Sequence, residues 1–190
     1  MLINVTGRKP RFASAIGHLF DLDYVPPTAT GYNAGRHKLD IFYPSSGSGP
    51  WPVLILVHAG GFTGGDHRTC RTLTHWARRT FEVNNCVLVS PGYRLAPTNA
   101  APDQRKDIGA AIRYLRANAG ILHLQDNFTF MPYSAGSCIA MMTCLTADDP
   151  AYANPDFGNS GISEATRGCF AFAGPYRFAT EEAQQVARFG

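Results

Sequence analysis

The amino-acid sequence predicts an α/β protein, a three-layer α/β/α sandwich built around a mostly parallel sheet. Short apolar runs rich in β-branched residues alternate along the chain with segments of helical spacing. Strands that alternate with helices form parallel sheets with right-handed crossovers and helices on both faces. The 190 residues, 45% of them hydrophobic, are enough for one domain with its own core, and no linker or repeat divides them. We therefore expect a single domain over residues 1–190.

Five segments predict the strands of this sheet. HKLDIFYP alternates apolar and polar residues until Pro44 ends it. PVLILVH and CVLVS are unbroken apolar runs, typical of strands that are covered on both faces. NFTFM and GCFAFAG are the fourth and fifth. The first 23 residues are poorly patterned, and only a short helix over Phe12–Phe20 is predicted there.

Helices are predicted between these strands. The first covers residues 69–81, TCRTLTHWARRTF. In DQRKDIGAAIRYLRANAG, Ile108, Ile112 and Leu115 recur at helical spacing, and Asn118-Ala-Gly supplies a stop. AGSCIAMMTCLTA has the length and composition of a helix, and TEEAQQVARF begins another. In a sheet of this kind, ligands bind at the carboxyl ends of the strands.

Composition excludes several classes of function. The net charge of +3 comes from scattered residues, and basic clusters such as Arg78-Arg79 are too short for a nucleic-acid footprint. The five cysteines are odd in number and form no C-x-x-C pair, so neither a disulfide framework nor a zinc site is indicated. The N-terminus lacks a signal-peptide pattern, and no apolar run reaches the length of a membrane span. We expect a cytoplasmic protein with no nucleic-acid partner.

Three short motifs follow predicted strands, and so fall at the carboxyl edge of the sheet. His58-Ala-Gly-Gly-Phe comes after PVLILV, Pro91-Gly-Tyr-Arg-Leu-Ala-Pro after CVLVS, and Tyr133-Ser-Ala-Gly after NFTFM. In this order, and over residues 35–178, the chain resembles carboxylesterases of the hormone-sensitive-lipase-like group, which have the α/β-hydrolase fold and carry HGGG, YRLAPE and G-x-S-A-G. The resemblance implies a serine hydrolase of carboxylesterase or lipase type. Such an enzyme acts on small carboxylic esters through an acyl-enzyme and needs no metal or cofactor.

The residue types suit that chemistry. A serine on a tight strand–turn–helix elbow is exposed, and the N–H of the next residue points at the attacked oxygen. Ser134 is the candidate nucleophile, and Ala135 provides that N–H. By resemblance, Gly60 and Gly61 are the other oxyanion donors, matching the second and third glycines of HGGG, while Ala59 replaces the first. Loss of one such donor typically lowers kcat by about 10²–10³.

Structural interpretations compete with these roles. Ser134 alone could be a helix N-cap, for which serine is favoured. AGGFTGG could be a phosphate loop, although no lysine follows in the required pattern. His58 is expected to hold the glycine loop, and Tyr93 and Arg94 to hold their own loop. Asp107 is interpreted as a helix-surface carboxylate or an arginine partner in preference to a catalytic acid.

The chain departs from the family pattern at two places. Pro132 replaces the first glycine of the elbow, which removes an N–H at the end of a strand. The 56 residues after Ser134 contain no histidine, although the triad order is Ser, Asp or Glu, then His. Three later acids follow the elbow helix too closely for the family position: Asp148, Asp149 and Asp156. We therefore expect this sequence to lack the last strands of the fold, which carry the triad acid and base.

Two consequences follow from that expectation. GCFAFAG would be an exposed edge strand, which favours self-association through it. Beside the hydrolase, two further hypotheses stay open. One is a catalytically impaired hydrolase-like domain that binds a small ligand or a partner chain. The other is an enzyme in which His123, or a base from another chain, replaces the missing histidine.

Overall fold

The computed structural model describes residues 17–72 and 83–176, which form one sheet with helices packed against it. The strands are β1 (His18–Asp23), β2 (Lys38–Phe42), β3 (Trp51–Ile55), β4 (Val87–Pro91), β5 (Leu124–Phe130) and β6 (Gly168–Cys169). The α-helices are α1 (Asp103–Ala117) and α2 (Ala135–Leu145), and 3-10 helices cover His67–Thr72, Pro150–Tyr152 and Pro155–Phe157. The helix expected over TEEAQQVARF lies outside the described residues. Of the helix expected over 69–81, the described part belongs to the first 3-10 helix.

The sheet is mostly parallel, as the sequence predicted. Its strand order is β1-β2-β4-β3-β5-β6. The pairs β1–β2 and β2–β4 are antiparallel, and the other three pairs are parallel. Helix α1 connects β4 to β5 and α2 connects β5 to β6. The predicted layered α/β class is therefore confirmed.

The core divides between the two faces of the sheet. The larger cluster lies under α1 and α2, where Ile108 and Ile112 of α1 meet strand residues such as Val89 and Phe130. On the other face, a smaller cluster contains Cys70 of the first 3-10 helix together with Phe42, Cys86 and Leu88. Residues 87 and 89 of β4 face one cluster while Leu88 faces the other, the alternation expected of a strand covered on both faces.

The strand β1 is a correction to the sequence analysis. Residues 18–20, placed in the predicted helix over Phe12–Phe20, belong to β1, which pairs antiparallel with β2; residues 12–16 lie outside the described part. The register shifts between Leu19 and Leu22, and Asp21 there has φ 56°. Such a bulge breaks the period-two alternation by which a strand is recognised in a sequence.

The strand β6 is shorter than GCFAFAG predicted, and Pro132 explains where it stops. Met131 N donates to Ile55 O (2.8 Å), so odd-numbered residues here face β3 and residue 132 faces β6. Phe170 N donates to Phe130 O (2.9 Å), and the next bond of a parallel ladder would come from the N–H of residue 132. Proline has no N–H, so pairing is interrupted and resumes only as a single bridge between Tyr133 and Phe172.

A long loop over residues 146–167, called the α2–β6 loop below, is tied to α1 by arginines. Arg105 and Arg113 both pair with Glu164, and all three side chains are almost fully buried. Arg105 also donates to the carbonyls of Thr146 and Tyr152. The loop therefore holds β6 in place relative to α1. Among the helices of residues 17–72 and 83–176, none has the length and apolar composition required to cross a bilayer.

Candidate active site

Ser134 lies at the junction of β5 and α2 in a backbone conformation that serine rarely adopts. Its φ is 53° and its ψ is −123°. It occupies the N-cap position of α2, yet its side chain makes no capping hydrogen bond, and capping residues normally have β-region dihedrals. The capping interpretation is therefore wrong. Strained backbone at a single non-glycine residue is concentrated at functional sites.

The elbow is held against the sheet from two sides. On the β3 side, a Cβ added to Gly136 would lie 2.2 Å from Val57 O and 2.7 Å from His58 O, so only glycine lets α2 approach this closely. On the β6 side, Ser134 N donates to Phe172 O at 2.9 Å. The sequence analysis did not single out Phe172. A backbone contact between residues so far apart in the chain leaves no local signal.

The glycine loop begins beside this elbow. Gly60 and Gly61 have φ of 129° and 58°, and Gly60 O accepts bonds from Thr63 N and Gly64 N, which close the loop on itself. Within the described residues, the N–H groups of Gly60, Gly61 and Ala135 have no hydrogen-bond acceptor. Because His58 O, at the start of the loop, touches Gly136, the two backbone segments meet at one edge of the sheet.

His58 has the structural role that the sequence predicted. Its Nδ1 donates to Ala59 O at 2.8 Å, and its ring stacks on Tyr93 with centroids 4.1 Å apart. The hydroxyl of Tyr93 donates in turn to His58 O at 3.1 Å. Burial lowers the pKa of His58 to about 4, so its imidazole is neutral near pH 7.

Asp107 is the arginine partner that the sequence allowed, but it is fully buried and does not lie on a helix surface. It accepts from the backbone N of Arg94 at 2.8 Å and from Arg94 Nη2 at 2.8 Å. His37 completes the cluster: its Nδ1 accepts from Asn33 N, and its Nε2 lies 3.2 Å from Asp107 Oδ1. These contacts anchor the loop that follows β4, as expected of Arg94.

His123 cannot serve Ser134, which corrects the hypothesis that it replaces the missing base. It immediately precedes β5, and Ser134 follows the other end of that strand. Seven residues at about 3.3 Å each separate the two positions by about 23 Å. The carbonyl of His123 accepts from Trp51 N, at the amino end of β3, which is the wrong edge of the sheet.

The described part of the chain holds one group with the spacing of metal ligands, and it lies away from the elbow. Asp21, Asp40 and His67 place ligand atoms within 4.8 Å of one another. Arg71 already lies between the two carboxylates, with Nε 2.6 Å from Asp40 Oδ2 and Nη2 2.9 Å from Asp21 Oδ1. The guanidinium thus supplies the positive charge that these carboxylates require.

A cavity of about 320 Å³ lies between α1 and the α2–β6 loop. Its charged lining residues are Arg113, Asp148 and Glu164. Arg113 and Glu164 pair with each other, and Asp148 accepts bonds from Ser163 Oγ and Glu164 N. None of the lining residues belongs to the elbow or the glycine loop, so this cavity is separate from the candidate active site.

Comparison with known proteins finds a matching family model and relatives that are described as esterases. The BD-FAE family model matches residues 39–185. The carboxylic ester hydrolase LipN of Mycobacterium tuberculosis is 30% identical over 141 residues, covering 70% of this chain and 34% of LipN. Esterase LipC of the same organism is 30% identical over 143 residues, covering 74% of this chain and 34% of LipC.

Solved structures agree on the fold. A bifunctional GH43-CE protein of Bacteroides eggerthii superposes with a TM-score of 0.73 at 20% identity, covering 85% of this chain and 21% of that one. This chain spans about a third of the length of the curated relatives that it matches.

Proposed function

Because the chain belongs to the BD-FAE family, we propose that it is a serine hydrolase of carboxylesterase type, acting on carboxylic esters through an acyl-enzyme on Ser134. Ser134 Oγ attacks the ester carbonyl carbon as its proton passes to a base. The tetrahedral oxyanion then collapses, the alcohol leaves, and water releases the acid. No cofactor takes part in these steps.

One observation carries this proposal. Ser134 has a strained backbone, and its hydroxyl forms no hydrogen bond with any described residue, while the N–H groups of Gly60, Gly61 and Ala135 have no acceptor among those residues. Donors fixed before the reaction stabilise an oxyanion because they need no reorganisation when the charge develops. Gly60, Gly61 and Ala135 are the donors proposed for this role.

The described residues do not supply the base that would accept the proton of Ser134. His58 is a weak base because its pKa is about 4, and both ring nitrogens of His37 face other groups. His67 Nε2 lies 2.7 Å from Asp21 Oδ1. We therefore place the base and its acidic partner in polypeptide outside the described residues, in line with the fraction of the relatives that this chain spans.

The first prediction tests the nucleophile. Ser134→Ala should abolish labelling by a fluorophosphonate probe. It should also lower kcat for hydrolysis of a short-chain aryl ester, by up to about 10⁶-fold in a protein whose triad is complete. The reason is that Ser134 occupies the turn between β5 and α2, whereas Ser137, the next serine along the chain, is fully buried. Labelling is read by gel fluorescence and mass spectrometry of the modified peptide.

Ser160→Ala is the matched control, since Ser160 is exposed on the α2–β6 loop. It should label and turn over like the unmodified chain. Labelling or turnover that survives Ser134→Ala unchanged contradicts the proposed nucleophile.

A second candidate is a hydrolase-like domain that binds a small ligand or a partner chain without turnover. The exposed side chains of Phe170, Phe172 and Tyr176 near β6 support it. Self-association through this strand is a prediction of this candidate, whereas a cytoplasmic location is predicted for either candidate. A folded chain that neither labels nor hydrolyses esters, but forms dimers in sedimentation analysis, would favour it over the enzyme.

A further inference from the structure

The side chain of Ser137 holds the backbone of Phe172 at the elbow. Ser137 is fully buried. Its hydroxyl donates to Phe172 O at 2.8 Å and accepts from Phe172 N at 3.1 Å. One side chain therefore binds both polar backbone groups of Phe172.

The same carbonyl also accepts a hydrogen bond from the backbone N–H of Ser134, the proposed nucleophile. Ser134 N donates to Phe172 O at 2.9 Å, so this oxygen accepts from Ser134 and Ser137 together. Ser137 is itself fixed in the first turn of α2, where its N–H donates to Ser134 O at 2.9 Å. The three residues thus form a closed set of hydrogen bonds around the elbow.

This set lies at the point where hydrogen bonding between β5 and β6 is interrupted. Pro132 interrupts pairing between β5 and β6, and the chain leaves the described strand after Cys169. Ala173, next to Phe172, has φ 51°, a conformation that alanine adopts only when its surroundings impose it. Ser137 adds two hydrogen bonds from helix α2 at this gap in the ladder.

We propose that Ser137 is a positioning residue for Ser134, which acts by fixing the Phe172 carbonyl that binds the Ser134 N–H. The inference rests on the proposed function and adds a residue to it. Since Phe172 and Tyr133 are paired across the bridge and both are more than half exposed, Ser137 also sets where these two aromatic residues stand beside the nucleophile.

The test compares two buried hydroxyls of the same helix. Ser137→Ala removes both hydrogen bonds to Phe172. Thr143→Val is the matched control, because Thr143 is also fully buried, and its hydroxyl donates to Ile139 O within α2 without touching the elbow. Ser137→Thr keeps the hydroxyl and serves as the rescue variant, with Ser137→Cys in its place should the added methyl group prevent folding.

Two measurements are made on the full chain. Amide hydrogen exchange at Ser134, followed by NMR, reports whether its N–H is still held and needs no catalytic activity. The rate constant for fluorophosphonate labelling reports how well the hydroxyl is aimed. In Ser137→Ala we expect exchange at Ser134 to be at least about tenfold faster and labelling to be about 10- to 100-fold slower, since a misplacement of 1 Å costs about this much.

The outcomes separate this inference from the proposed function. Recovery in the rescue variant, with Thr143→Val unchanged in both measurements, supports positioning by Ser137. Ser134 exchange within about twofold of the unmodified chain in Ser137→Ala, or an equal loss in Thr143→Val, overturns it. If amide exchange at Ser134 responds as expected but Ser134 is never labelled, the hydrogen-bonded set is supported and the proposed hydrolase function is contradicted.

Discussion

At the scale of single residues, the elbow depends on the absence of one side-chain atom. Gly136 lies where α2 comes closest to the end of β3, and two carbonyl oxygens occupy the space that a Cβ would fill. These oxygens belong to backbone at the end of a central strand, so they cannot turn aside as a flexible side chain would. The position of Ser134 and the spacing of α2 from the sheet therefore depend on the same residue.

Gly136→Ala should lower the free energy of unfolding by about 1–3 kcal/mol, the usual cost of overpacking, and should slow labelling of Ser134 because α2 must move outward. Gly120→Ala is the control: its added Cβ meets no atom within 4 Å, so stability and labelling should stay within experimental error. Urea denaturation measures both variants. If the Gly136→Ala protein is as stable as the control, the close approach of α2 to the carbonyls of Val57 and His58 is contradicted.

At the scale of elements, the α2–β6 loop is held by buried charge. Arg105 and Arg113 on α1 share Glu164, and burial lowers the pKa of Arg113. Removing one partner from a buried ionic group leaves an uncompensated charge, which costs much more than the pair contributes. The loop is therefore fixed to α1 along a long stretch, in addition to the pairing of β6 with β5.

Glu164→Gln should lower the free energy of unfolding by about 3–5 kcal/mol, because two buried guanidinium groups lose their counter-charge. Asp126→Asn removes the exposed partner of Arg116 and should cost less than about 1 kcal/mol. Chemical denaturation of both variants at one pH gives the comparison. If both variants lost the same free energy of unfolding, burial of the Glu164 ion pairs would not increase the cost of removing the charge.

At the scale of the whole molecule, His58 makes stability depend on pH. Its pKa in the folded protein is about 4, against an ordinary value of 6.5, because burial disfavours the charged imidazole. Between pH 6.5 and about pH 4 the unfolded chain binds a proton that the folded chain does not. The free energy of unfolding should therefore fall by about 3 kcal/mol as the pH is lowered through this range, and this loss should level off below it.

His58→Asn removes the titrating group and keeps an N–H that can reach Ala59 O. Comparing the urea midpoints of the two proteins from pH 8 to pH 4 isolates the histidine from the carboxylates, which titrate in both. Parallel curves across this range would contradict the assignment to His58.

The sequence predicts the layered fold because its central strands are continuous apolar runs and its motifs follow those runs directly. It also places Ser134, Gly60 and Gly61 at the carboxyl edge of the sheet, after β5 and β3. It misses β1, whose bulge at Asp21 disturbs the alternation, and it overextends β6, since the effect of Pro132 depends on which neighbour that residue faces. Ser137 and Phe172 escape notice because their contact spans a long loop.

The bond from Ser134 to Phe172 has a consequence for synthesis of the chain on the ribosome. The serine emerges well before the residue whose carbonyl receives its N–H, and the whole α2–β6 loop must follow before the two can meet. During that interval a nascent polypeptide has its central strands but no acceptor at the turn. The elbow is thus completed late in biogenesis, once the α2–β6 loop has been made and Phe172 can reach the turn.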